Sequence, residues 1–193
     1  MEPTPLTLIQ QDLLAEEFDA RLLGIDDKNF YERLFVVFDP DDKGRDQILQ
    51  IMFINDLLNL SGQADEPEDM FLLQFTLELP FRVPEAAAAE VARLLLALNR
   101  VLPVGALGMT EPEGTVYFNY ALSNADRRVE DVVTANTVGL IEFYIPGFAK
   151  LIEAVADGSR KRQDVIKQLI EEQVMPPPSP VRDDPNYNAV PKA

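Results

Sequence analysis

The sequence predicts an α+β fold, a two-layer sandwich in which an antiparallel sheet carries its helices on one face. Three observations point to it. Leu73, Phe75, Leu77 and Leu79 alternate with Gln74, Thr76 and Glu78, the period of a strand with one buried and one solvated side. Val116, Phe118, Tyr120 and Leu122 repeat that pattern further on. Other apolar runs come in close pairs joined by turn residues, which is hairpin spacing, with longer helical patterns between them.

The elements follow in order. Thr7 is a candidate helix cap, with Gln10 at the reciprocal capping-box position and Gly24 beyond the helix end. Ile9, Leu13, Leu14, Phe18 and Leu22 share one helical stripe in that segment. Leu34 to Phe38 is a short apolar strand entering the turn DPDDKGRD, and Ile48 to Ile54 is its return. Ser61 to Asp69 reads as a solvated loop, followed by the Leu73 to Leu79 strand. Pro84 starts a helix where its missing N–H costs nothing, and Ala86 to Leu102 is apolar almost all round, as expected of a central buried helix. Strands at Gly105–Met109 and Thr115–Leu122 flank the turn TEPEG. A helix is expected from Val129 to about Ala156, kinked or interrupted at Pro146-Gly147. The order is α-β-β-β-α-β-β-α. Residues 1–157 form one domain, 158–173 a C-terminal amphipathic helix, and 174–193 a Pro-rich tail expected to be disordered or extended.

Composition narrows the chemistry. The 193 residues carry a net charge of -16, which disfavours nucleic acid and anionic membranes as partners. The chain has no Cys and no His, so disulfides, thiolate nucleophiles, Cys/His zinc sites and Ser-His or Cys-His catalysis are excluded within it. The N-terminus lacks a basic segment and does not read as a signal peptide, and no apolar window approaches a membrane span. A cytoplasmic protein is the expectation.

Candidate motifs resolve mostly into structure. Asp39, Asp41 and Gly44 fall at positions one, three and six of a calcium loop, but Lys43 and Gln50 stand where two ligands are required, so this reads as a polar hairpin turn and not a metal site. Glu78 with Glu111 or Glu113, and Asp126 with Glu130, are candidate carboxylate pairs for acid–base work, and they fall on solvated faces and loops. No phosphate-binding loop occurs, so no cofactor is expected. Asn99 either marks an exposed helix edge or bonds a neighbouring backbone and fixes the strand that follows. Pro176 to Pro180, PPPSP, is a possible polyproline II ligand.

Taken together, Leu79 to Pro84, Ala92 to Arg100, Pro103 to Met109 and Gly114 to Tyr120 resemble the YbjN-like family, bacterial proteins described as sensory-transduction regulators. The pattern is LNxxLPVGxxGM followed by EGxVxFxY, and Pro146-Gly-Phe148 within a helix is also similar to the family. The likeness spans roughly Leu13 to Val155; the extension from Arg160 has no counterpart in it. The resemblance implies a fold like that of type III secretion chaperones: a small, acidic, ATP-independent and often dimeric protein that holds another polypeptide. It transfers no catalytic residues.

The expected function is therefore non-enzymatic binding of a protein or peptide client, through apolar grooves or by strand addition, in a homodimer. Phe81 and Arg82 at a strand end, with Tyr117 and Asn119 on the outward row of the last strand, are the candidate contacts; that row suits a dimer interface equally. The alternative is a regulatory or assembly adaptor that dimerises through its folded domain and binds a partner through its Pro-rich tail. Deleting Met175 to Ala193 separates the two readings.

Overall fold

The structure, a computed structural model, describes residues 3–26, 29–60 and 70–177. The loop at Ser61 to Asp69 and the tail from residue 178 lie outside the described residues. Helices α1 (Pro5–Ala15), α2 (Ile54–Leu60), α3 (Glu85–Leu98), α4 (Asp131–Ala156) and α5 (Arg162–Glu171) accompany strands β1 (Asp19–Leu23), β2 (Arg33–Phe38), β3 (Gln47–Phe53), β4 (Phe71–Arg82), β5 (Ala106–Met109) and β6 (Thr115–Asn124). The fold is α+β. All six strands form one antiparallel sheet in the order β1-β2-β3-β4-β6-β5.

The register sets one face of this sheet against the helices. Leu34 faces Ile51, which faces Phe75, which faces Tyr120. One row along, Val36, Leu49, Leu77, Phe118 and Leu107 run across the sheet, and all five are buried. Onto these rows pack Leu6, Ile9 and Leu13 of α1, Val91, Leu94, Leu95 and Leu98 of α3, and Val138, Ile141, Ile145 and Ile152 of α4. Val165 and Leu169 of α5, and Met175 beyond it, join the same core. Deleting a side chain such as Phe118 would cost about 3–5 kcal/mol. The β5–β6 turn seats against the start of α3. Gly114 sits at φ +66 with its carbonyl accepting from Val83 N–H at 2.8 Å, and a Cβ there would overlap the Val83 carbonyl.

Several elements differ from the sequence expectation. The α1 cap is Thr4, not Thr7: Thr7 N–H donates to Thr4 Oγ1 at 3.2 Å and Pro5 takes the first helical position. The helix stops at Ala15, well short of Gly24. Glu17 N–H bonds the Leu14 carbonyl and Phe18 N–H the Leu13 carbonyl, with Glu17 in the left-handed region at φ 66. That is a Schellman closure, usually announced by glycine. Without glycine the signal is silent, and the apolar spacing runs on through Leu22, which belongs to β1. Gln10 bonds the carbonyl of Ala20 instead of completing a capping box.

The return strand ends at Phe53 and Ile54 opens α2, a helix absent from the expected order. α3 ends at Leu98 and is not buried all round: Ala86, Ala89 and Leu96 are exposed. Alanine faces water at little cost, so counting the run AAAA as apolar hides the helix's outer side. The most buried helix is α4, which meets α1, α3 and β4 and continues through Pro146 without interruption.

Candidate functional site

The sheet's second face carries no helix among the described residues. Its rows are read directly from the register: Arg21, Phe35, Gln50, Thr76, Asn119 and Ala106 lie side by side, as do Asp19, Val37, Ile48, and, from β4 onward, Glu78, Tyr117 and Gly108. Val37 faces Ile48 directly, with Phe35 on the diagonal, so three apolar side chains meet where water should be. Ile48 is 42% exposed. A groove of about 570 Å³ opens beside them, lined by Phe35, Ile48, Gln50, Thr76, Glu78 and Phe81, and reaches Arg82 at the end of β4.

Polar groups on this face are already ordered. Asn119 Oδ1 accepts from Gln74 Nε2 at 2.9 Å, and Thr76 Oγ1 lies 3.5 Å away. The Tyr117 ring lies over Gly108, where a Cβ would come within 2.5 Å of the ring carbon bearing its hydroxyl. A flat tyrosine beside oriented amides supplies both apolar contact and hydrogen bonding to an extended chain.

The sequence-predicted residues separate into two groups. Tyr117 and Asn119 stand on this open face, beside groove residues Glu78 and Thr76 across the β4–β6 ladder. Phe81 is half-buried against the core with the Arg45 guanidinium 5.8 Å from its ring centroid, and lines the groove as well. Arg82 is exposed, beyond a register shift that follows Glu78. All four therefore border one surface. Phe35 and Ile48 were missed as contacts. Their signal was continuity: LFVVF and ILQIMF do not alternate as a half-solvated strand should.

The sheet's two edges are occupied by helix side chains. At β5, Asn99 Nδ2 donates to the Leu107 carbonyl at 3.0 Å and Asn99 Oδ1 accepts from Leu107 N–H at 2.7 Å. One carboxamide thus reproduces the pairing of a neighbouring strand, and Asn99 is the backbone-bonding residue of the two alternatives. At β1, Gln10 Nε2 donates to the Ala20 carbonyl at 3.1 Å. Both devices blunt an edge against strand addition.

A second hollow, about 250 Å³, lies between the β2–β3 turn and α4. Arg45 fills its charge. Its Nη1 and Nη2 bond Glu153 at 2.9 and 2.7 Å, its Nε bonds Asp41 at 2.7 Å, and Nη1 also reaches the Pro80 carbonyl at 3.0 Å. Lys43 adds a 3.0 Å pair to Glu153. Bonding to Arg45 holds the Asp41 carboxyl down at about 2 and the Glu153 carboxyl below its ordinary range. Every charge named here has its partner, so this cluster clamps the turn to the helix. The would-be calcium ligand Asp41 is spent on Arg45 and on the N–H groups of Lys43 and Arg45.

Of the carboxylate pairs, Glu78 is exposed on the sheet face, and Glu111 and Glu113 are exposed in the β5–β6 turn. Asp126 and Glu130 border one hollow with Asp12 and Asp131, where Asp126 accepts from Arg128 N–H at 2.8 Å. Among the described residues no group of three or more Asp or Glu is placed to hold a metal ion, and no helix is long and apolar enough to cross a membrane. No protein-family model matches the chain, and no curated protein matches it significantly.

Proposed function

We propose that the chain is a non-enzymatic binding protein that holds an extended polypeptide across the uncovered face of its sheet. The observation behind this reading is the apolar block of Phe35, Val37 and Ile48 opening into the groove at Thr76, Glu78 and Phe81. An apolar patch rimmed by ordered polar groups is the usual form of a protein interaction site. The client is gripped by side-chain contact, since Asn99 and Gln10 occupy backbone groups that strand addition would need. Asp46 and Glu78 outnumber Arg82 at the groove and, on a chain of net charge -16, favour a client with basic flanks. The YbjN-like resemblance and a cytoplasmic, chaperone-like role belong to the same proposal.

The test is site-specific photo-crosslinking in extract from the native cell. A benzoylphenylalanine at position 48 or 117 should give a discrete polypeptide adduct, and the same group at position 96 on α3 should give none. Equal labelling from both sides of the molecule, or none from the sheet face, would remove the proposal.

A further inference from the structure

The helix layer carries a second unpartnered surface. Along α4, Val132, Asn136, Gly139, Phe143, Gly147 and Lys150 recur at intervals of three or four residues and so share one side of the helix. None is buried, and Phe143 is 77% exposed, the most exposed large apolar side chain among the described residues. Immediately N-terminal to Phe143, a groove of about 600 Å³ is lined by Glu16, Phe18, Ala135, Asn136, Gly139 and Leu140. Knob and hole are thus neighbours on one helix.

We infer that this face pairs with a second copy of the chain, α4 against α4, antiparallel about a two-fold axis near Leu140. In such an isologous contact each copy supplies both the knob and the hole, so a surface must be complementary to itself. An axis at Leu140 lays Phe143 opposite the partner copy's residue 137, between the groove residues Asn136, Gly139 and Leu140. Charge agrees with the same axis. Lys150 and Glu130 lie ten residues to either side of Leu140, and both are exposed. Each copy therefore brings Lys150 to the exposed Glu130 and Asp131 at the start of the other α4, twice per dimer. Lys150 already meets Asp42 at 2.7 Å, but that pair is solvent-exposed and leaves the ammonium free to take a second carboxylate. Between these ends the stripe itself bears no charge, and Glu16 at the C-terminal end of α1 is the one charged residue lining the groove beside it. Antiparallel helices also set opposite dipole ends side by side.

This contact is independent of the client reading, because it uses the helix layer and leaves the sheet face open. The experiment is light scattering and sedimentation of the full chain, with three sets of variants. The wild type should be a dimer. Phe143→Glu and Gly139→Leu should each raise its dissociation constant at least tenfold while the monomer stays folded, judged by an unchanged circular dichroism spectrum. Phe143 is exposed, and a Cβ at Gly139 meets open space. Lys150→Glu should weaken the dimer, and adding Glu130→Lys and Asp131→Lys should restore it. Because the chain has no cysteine, Gly139→Cys supplies a single thiol near the axis and should oxidise to a covalent dimer. A monomeric wild type overturns the proposal. So does a dimer indifferent to Phe143→Glu and Gly139→Leu, or one that is cross-linked by Asn119→Cys on the sheet face and not by Gly139→Cys.

Discussion

Asn99 follows the last residue of α3, and its side chain bonds both backbone groups of Leu107, 2.7 Å from the N–H and 3.0 Å from the carbonyl. Half-buried, the pair does two things at once: it fixes where β5 begins and closes the sheet's edge. Replacing Asn99 with Ala should leave two backbone groups without partners and cost about 1–3 kcal/mol, read from urea unfolding at constant m-value. The same variant should associate through the opened edge at high concentration, which sedimentation would detect. In sequence, Asn99 left two readings open, an exposed helix edge or a bond to a neighbouring backbone that fixes the next strand, and the structure selects the second. Its partner lies eight residues away across a turn whose path no periodicity describes.

At the level of elements, the end of α1 shows how a boundary can be real and yet unannounced. Glu17 occupies the left-handed position of the Schellman closure, a conformation that costs a residue with a Cβ about 1–2 kcal/mol. It also sets a carboxylate at the negative end of the helix dipole. Glu17→Gly should therefore stabilise the protein by about 1 kcal/mol, visible as a higher urea midpoint, with the fold unchanged. The β2–β3 turn is held by the Arg45 clamp, and this makes an acid-sensitivity prediction. Asp41 and Glu153 titrate below their ordinary values of 3.8 and 4.5 when folded, because Arg45 bonds their charged forms. As pH falls through about 5 towards 2, the unfolded chain takes up these protons before the folded one does. Stability from the clamp is thus full above that window and lost within it. Arg45→Met should flatten this part of the stability–pH curve while lowering stability at pH 7, measured by chemical unfolding at a series of pH values.

On the scale of the whole molecule, the two unpartnered surfaces lie on different layers, the sheet face with Ile48 and Tyr117 and the α4 face with Phe143. If they act separately, Phe143→Glu should abolish self-association and leave photo-crosslinking from position 117 unchanged in yield. The fold class and most of the strands were determined by the sequence alone, because a two-residue period with one apolar face admits only a half-buried antiparallel strand. Composition by itself also excluded cysteine and histidine chemistry. β1 and α2 escaped that reading: a non-glycine helix stop and a short helix following a strand leave no periodic trace. The placement of surfaces was decided only by the tertiary structure. Phe35, Ile48 and Phe143 look like core residues in sequence. Whether an apolar side chain is buried or offered to a partner depends on whether another layer of the same chain reaches it, a long-range fact that local pattern does not contain.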